Sequence, residues 1–205
     1  MIGVFNVKQI NNNQRKNIMK KISKLLILSL YLMFSSFSCL REGKRDESLD
    51  DKLTLKRINY TGNELRIDGY YYNIYYNDKK EPQGITPLFF YRNGIILGDV
   101  GVRIDKISEM EEWFRNGYYV NNAEKYQWGV FQIDGTKIKY EKWVPVQGPF
   151  VAVTYEGVIL NNTTFVINQS YKMEKGNRID LSKFDWTYHF KEFSPKPDST
   201  NRFIK

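Results

Sequence analysis

The chain has little of the chemistry on which metal sites and most enzymes depend. It contains one cysteine, Cys39, and one histidine, His189. Zinc sites need several Cys or His ligands, so no metal is predicted. The 14 glycines fall mainly at turns rather than in a phosphate-binding loop. No serine or cysteine partner can be assigned to His189, and nucleophilic catalysis needs such a pair. We therefore predict no catalytic residue and no cofactor.

Clustered positive charge is also lacking, although the formal net charge is +8. Six of the 31 basic residues precede Cys39, with no acidic residue among them, which leaves 25 basic against 23 acidic side chains. In this remainder the signs alternate, as in Lys139-Tyr140-Glu141-Lys142. Nucleic-acid affinity comes largely from counterions that clustered cations release. The sequence therefore predicts no nucleic-acid partner.

An apolar run near the start, Leu25 to Phe34, is only ten residues long and is interrupted by Ser29. A membrane-spanning helix needs about 20 apolar residues. The run follows a basic segment and ends in Ser35-Ser36-Phe37-Ser38, a pattern typical of a cleaved secretory signal. We expect residues 19–38 to be the signal peptide, and residues 1–18 to be an extension of the gene model or disordered. An uncleaved anchor helix is the alternative.

The end of this segment resembles the lipobox of bacterial lipoproteins, in which a small residue precedes an invariant cysteine. Ser38 and Cys39 match its last two positions, whereas Ser36 stands where leucine is usual and Phe37 is bulkier than common. An unpaired cysteine in an exported protein needs an explanation, and lipidation of Cys39 by chains such as palmitate provides one. The resemblance implies a cell-envelope protein anchored in the lipid bilayer, with the outer membrane favoured and its face left open. Cleavage by ordinary signal peptidase would instead give a soluble periplasmic protein.

The remainder divides by composition into three parts. Residues 39–55 are charged and nearly free of core side chains, which predicts a flexible tether. Residues 56–193 alternate apolar and polar side chains and are rich in aromatics, which predicts a β domain. Residues 194–205 predict a tail outside the sheet.

Turn signals divide the β domain into an all-β antiparallel meander of about eight strands. Asn93-Gly94, Asp134-Gly135 and Asn161-Asn162 each predict a hairpin between apolar runs. Ile107, Met110 and Phe114 recur at helical spacing, with Asp105 as a candidate N-cap, and predict one short helix around 105–116. Eight antiparallel strands can close on themselves, so we expect a barrel or a strongly curved sheet.

Three stretches carry a second resemblance: residues 126–135, residues 155–165 and Tyr188-His189-Phe190. Their aromatic-glycine and polar-turn-threonine motifs are similar to those in small lipocalin-like domains of bacterial lipoproteins. The resemblance implies a closed barrel. An open curved sheet or a sandwich is the alternative.

Tyrosine clusters, among them Tyr70-Tyr71-Tyr72 and Tyr75-Tyr76, are the feature most suggestive of a function. Neighbouring strand residues point to opposite faces, so some of these rings must lie at the surface or at a mouth. They either cover the sheet or line a site for a sugar or an apolar ligand. We take Tyr70, Tyr72, Trp128 and Tyr140 as candidate ligand-binding residues.

The sequence thus predicts a membrane-anchored envelope lipoprotein with a non-enzymatic binding domain. An envelope or glycan-processing enzyme and a structural subunit of an envelope complex are the alternatives.

Overall fold

The structure is a computed structural model that describes residues 47–98 and 101–205. The predicted extension (1–18), the signal peptide (19–38), Cys39 and the first part of the tether lie outside the described residues.

Eight antiparallel strands close into a barrel, and a ninth short strand is added to it. The strands are β1 (Gly69–Tyr76), β2 (Pro82–Phe90), β3 (Ile95–Gly98), β4 (Val102–Arg103), β5 (Trp128–Asp134), β6 (Lys137–Val144), β7 (Val151–Asn161), β8 (Thr164–Glu174) and β9 (Asn177–Glu192). Around the barrel the order is β1-β9-β8-β7-β6-β5-β3-β2, and β2 pairs back with β1. The extra strand β4 pairs with β2 at Gly84 and Ile85. The predicted all-β antiparallel meander is confirmed, and it is closed rather than open.

The hairpin turns lie where the sequence predicted them. Gly94 and Gly135 have φ values of +78° and +56°, in the left-handed region that glycine adopts without strain. They connect β2 to β3 and β5 to β6, and Asn161 and Asn162 lie at the turn between β7 and β8. Each of these strand pairs therefore has its register set locally by the turn.

Inward-facing aromatic side chains fill the barrel. The interior cluster consists of Tyr60, Leu65, Tyr71, Leu88, Phe90, Ile96, Phe131, Ile138, Tyr140, Ile159, Phe165, Ile167 and Tyr188. The ring centroids of Phe90 and Phe131 are 4.9 Å apart, and those of Phe165 and Tyr188 are 4.7 Å apart. Aromatic pairs at these separations stabilise a core by about 0.5–1.5 kcal/mol beyond their buried area.

The outer surface of the barrel is also apolar over strands β1, β2, β3 and β5, and is covered by other parts of the chain. The outer cluster consists of Tyr70, Ile85, Phe89, Tyr91, Ile95, Leu97, Met110, Phe114, Tyr119, Trp128, Trp143 and Phe193. Met110 and Phe114 come from helix α1 (Ile107–Arg115), which confirms the predicted short helix, and Tyr119 comes from the short helix α2 (Tyr118–Asn121). Asp105 does not cap α1, because a 3₁₀ turn precedes the helix and Asp105 accepts a hydrogen bond from Arg103 instead.

The end of the predicted tether lies against the barrel. Residues 50–57 form a segment that we call the N-terminal strap. The amide N–H of Asp51 donates to the carbonyl oxygen of Phe150, and the indole N–H of Trp143 donates to the carbonyl oxygen of Asp51. The carboxylate of Asp50 forms a 2.6 Å ion pair with Lys125. Residues 50–57 are therefore attached to the barrel by hydrogen bonds and an ion pair.

The C-terminal tail is held against the barrel as well. The ammonium group of Lys196 donates to the carbonyl oxygens of Ile67 and Phe90, at 2.5 and 2.7 Å, and lies 4.5 Å from the ring centroid of Tyr91. Phe203 and Ile204 pack against the outer cluster. Residues 194–205 contain no strand.

A buried carboxylate fixes the strap, which makes its stabilising effect measurable. Glu141 is 1% exposed and accepts hydrogen bonds from the hydroxyl of Thr54 (2.8 Å), the N–H of Leu55 (2.6 Å) and the hydroxyl of Thr154 (3.3 Å). We expect Glu141→Gln to lower the free energy of unfolding by roughly 1–3 kcal/mol, because an NH₂ group replaces one buried acceptor. Urea denaturation measures this change. Glu192→Gln, at a surface ion pair, is the control and should leave the midpoint almost unchanged; equal midpoints for the two variants would contradict the role of Glu141.

A second prediction concerns Lys142, whose side chain faces the interior by the alternation of β6. Burial lowers the pKa of Lys142 to about 7, and burial lowers that of Lys196 to about 8. Unfolded lysine titrates near 10.4, so the unfolded chain binds more protons between about pH 7 and 9; closer to pH 10 the buried tyrosines, whose pKa values burial raises, have the opposite effect. The free energy of unfolding should therefore rise with pH between about pH 7 and 9, by at most about 1.4 kcal/mol per pH unit for each lysine. In Lys142→Met the rise should be confined to pH above 8, as measured by denaturation at several pH values. A full rise between pH 7 and 8 in that variant would contradict the assignment.

Candidate functional site

The barrel wall opens between strands β1 and β9. The two strands pair over Gly69–Asn73 and Tyr188–Glu192 only. Beyond this segment, β1 continues to Tyr76 paired with β2 alone, and the first part of β9 pairs with β8 alone. The side-chain amide of Asn73 donates to the carbonyl oxygen of Thr187 (2.9 Å) next to the last backbone pair. A cleft of about 420 Å³ follows, which we call the β1–β9 gap.

The lining of the gap is half apolar and half hydrogen-bonding. The apolar and aromatic residues are Ile74, Tyr75, Tyr76 and Trp186, and the polar residues are Asn73, Asp185, Thr187 and His189. Trp186 also packs against the interior cluster, whereas Asp185 and His189 are exposed. The gap therefore reaches from the outer surface to side chains of the barrel interior.

A stack of aromatic rings leads from the gap into the core. The ring of Trp186 is 3.9 Å from that of Phe184 and 6.1 Å from that of Tyr155, with nearly parallel planes in both pairs. Tyr155 in turn stacks on Tyr140 at 4.9 Å. Burial raises the pKa of Tyr155 to about 12, and burial likewise raises the pKa of Tyr140 well above its ordinary value. The stack is therefore neutral at physiological pH.

The rim of the gap is aromatic on the β1 side. Tyr76 is 58% exposed, and the ring of Tyr72 lies 6.0 Å from the imidazole of His189 on the neighbouring strand. The side-chain amide of Asn73 donates one of its two N–H groups to the carbonyl oxygen of Thr187, and keeps its second N–H and its acceptor oxygen. With the carboxylate of Asp185, which only accepts, the polar half of the lining offers at least two acceptors.

The four residues that the sequence suggested for ligand binding lie in two places. Tyr70 and Trp128 are in the outer cluster at 0% and 1% exposure, and the hydroxyl of Tyr70 donates to Glu111 (2.8 Å). Tyr72 packs against the same cluster and also borders the gap through His189. Tyr140 is in the interior, at the inner end of the aromatic stack. The structure thus does not bring the four together around one cleft.

Sequence reasoning did not single out Asn73, Asp185 or Trp186 as site residues. Their common property is a position where two strands separate, and no local pattern marks that position. The alternation of Trp186 with Tyr188 and Phe190 was visible, but it indicated only a shared face.

No protein-family model matches this chain, and comparison with curated proteins and with solved structures found no match either. The site is therefore interpreted from its own geometry. The closed eight-stranded antiparallel barrel is compatible with the lipocalin-like architecture that the sequence resemblance implied.

Two further findings concern residues 47–98 and 101–205. Within these ranges no group of three or more His, Cys, Asp or Glu side chains is placed to hold a metal ion. None of the helices found there has the length and apolar character needed to cross a bilayer.

The accessibility of the gap can be tested with tryptophan fluorescence. Trp128 and Trp143 are 1% and 5% exposed, so Trp113, at 38%, and Trp186 should dominate quenching by acrylamide. In a Trp113→Phe background, we expect Trp186→Phe to remove most of the quenchable fluorescence. The matched control, Trp143→Phe in the same background, should leave the quenching constant nearly unchanged. Equal quenching before and after Trp186→Phe would show that the gap is closed to small molecules.

Proposed function

We propose that this protein is a lipid-anchored lipoprotein of the cell envelope whose barrel binds a small ligand at the β1–β9 gap without catalysing a reaction. The observation that carries the binding function is the gap itself, a cleft of about 420 Å³ with an aromatic half and a hydrogen-bonding half. This volume lies within the range of small-molecule sites, about 300–1,000 Å³, and such sites combine apolar walls with a few polar groups.

The proposed location in the cell envelope rests on the leader sequence. A ten-residue apolar run is too short to span a bilayer, and it ends beside the only cysteine of the chain. Acylation of the thiol and of the new amino terminus would give several acyl chains, and stable anchoring needs more than one.

Binding is favoured over catalysis by the composition of the lining. The described residues that line the gap include one carboxylate, that of Asp185, whereas a glycosidase uses two opposed carboxyl groups. Its lining includes no serine or cysteine that His189 could activate. The gap therefore offers recognition groups without a catalytic pair.

A structural role in an envelope complex is the second candidate, and the packed interior favours it. Tyr71, Phe90, Phe131 and Phe165 fill the part of the barrel where a lipocalin-like protein would hold its ligand. A scaffold of this kind would present its outer surface to a protein. Binding of small molecules at the gap distinguishes the two candidates.

The anchor is tested by expressing the full chain in a Gram-negative host and measuring the mass of the mature protein. We expect the mature chain to start at Cys39, to carry acyl groups and to fractionate with membranes. Cys39→Ala should lose both the added mass and the membrane association, whereas Ser48→Ala, beyond the cleavage site, should keep both. A wild-type product that retains residues 19–38 and a free thiol would overturn the proposed anchor.

Binding at the gap is tested by titrating the mature Trp113→Phe protein in lipid nanodiscs with a panel of neutral sugars and with toluene as an apolar probe. We expect a saturable change in Trp186 fluorescence with at least one member of the panel, and its loss in the Trp113→Phe/Trp186→Phe variant. Empty nanodiscs provide the blank. No saturable change with any member would overturn the binding function.

A further inference from the structure

The polar half of the β1–β9 gap narrows the class of ligand. An acyl chain or other apolar ligand that filled the gap would cover the carboxylate of Asp185 without offering it a hydrogen bond. Removing a carboxylate from water without a partner costs several kcal/mol. A ligand that covers the exposed carboxylate of Asp185 must therefore bring hydrogen-bond donors to it.

The hydrogen-bond acceptors line the same gap, so one compact ligand with several hydrogen-bond donors could satisfy them. Asp185 accepts only, and Asn73 keeps its acceptor oxygen and one amide N–H, because its other N–H donates to Thr187. The hydroxyl of Thr187 and the imidazole of His189 can each donate or accept. A ligand with several hydroxyl groups satisfies such a mixed set, because each hydroxyl both donates and accepts.

The aromatic half of the gap favours a ligand that also has a flat apolar face. Tyr76 presents an exposed ring, and Trp186 presents a half-buried ring fixed by its stacking on Phe184. Tyrosine and tryptophan combine an apolar face with a polar edge and are therefore suited to ligands that do the same. A sugar ring has this pattern, with C–H groups on its face and hydroxyl groups around its edge.

The negative charge of Asp185 favours binding of neutral sugars over acidic ones. Among the described lining residues, Asp185 is the acidic side chain, and like charges at short range repel. A ligand that carries a carboxylate or phosphate would therefore be disfavoured next to it.

We infer that the β1–β9 gap binds a neutral sugar, with a ring face against Trp186 and Tyr76 and hydroxyl groups donating to Asp185 and Asn73. This inference rests on the proposed binding function and specifies its ligand class.

The test is a titration of the mature Trp113→Phe protein in nanodiscs with glucose, galactose, mannose, N-acetylglucosamine and their disaccharides, and with glucuronate and toluene for comparison. We expect at least one neutral sugar to bind saturably at Trp186. Tyr76→Leu and Asp185→Asn should each weaken that sugar at least tenfold. Asp185→Asn should at the same time strengthen glucuronate, since the repelling charge is gone.

Control variants separate the site from general effects on the fold. Asp180→Asn and Tyr118→Leu change exposed residues outside the gap lining and should leave sugar affinity unchanged. Tyr76 and Asp185 are themselves exposed, so their variants should keep the wild-type melting temperature.

Each failure has a distinct meaning. Saturable binding of toluene at Trp186, with no sugar bound, would overturn the sugar inference and leave the binding function standing. Tighter binding of glucuronate than of glucose to the unsubstituted gap would also overturn it. Failure of every probe to bind at the gap would overturn both the sugar inference and the binding function.

Discussion

Strand β1 closes the sheet into a barrel, and the packing of the interior and the position of the gap both follow from this closure. β1 pairs with β9 on one side and with β2 on the other, and among the described strands it joins the two ends of the meander. At its centre, Tyr71 contacts the rings of Phe90, Phe165 and Phe190 at 5.6, 5.1 and 5.3 Å. Its hydroxyl donates to the carbonyl oxygen of Asn162 (2.7 Å). Closure and the packing of the interior are thus one event, because the side chain that fills the barrel belongs to the strand that closes it.

The same constraint produces the gap. β9 has 16 residues and β1 has eight, so the two strands cannot pair over their full lengths. The part of β9 that precedes Tyr188 is bonded to β8 and leaves an open edge toward β1. The aromatic stack from Tyr140 to Trp186 ends at this edge. The gap is therefore the place where the interior aromatic residues approach the surface.

Parts of the chain cover the outer surface of the barrel, and this covering leaves few other aromatic residues accessible to a ligand. Helix α1, the N-terminal strap and the C-terminal tail lie over the apolar side of β1, β2, β3 and β5. The buried ion pair of Asp50 and the hydrogen bonds of Glu141 attach the strap, and Lys196 attaches the tail. Tyr70 and Trp128 are buried by this covering layer, and Tyr72 and Tyr76 remain near the surface because they lie toward the open end of β1.

Local patterns in the sequence were enough to predict the all-β class, the hairpins at Asn93-Gly94 and Asp134-Gly135, and the short helix. Turn chemistry and hydrophobic period act over a few residues, so a local reading is enough for them. Long-range packing, in contrast, had to be seen to establish that the sheet closes, that residues 50–57 contact the barrel and that Tyr70 and Trp128 are buried. A period of two separates the faces of a strand but does not show whether one face or both will be covered. The gap depends on strands brought together across 114 residues of sequence, as between Asn73 and Thr187, and such a pairing leaves no local signal in either strand.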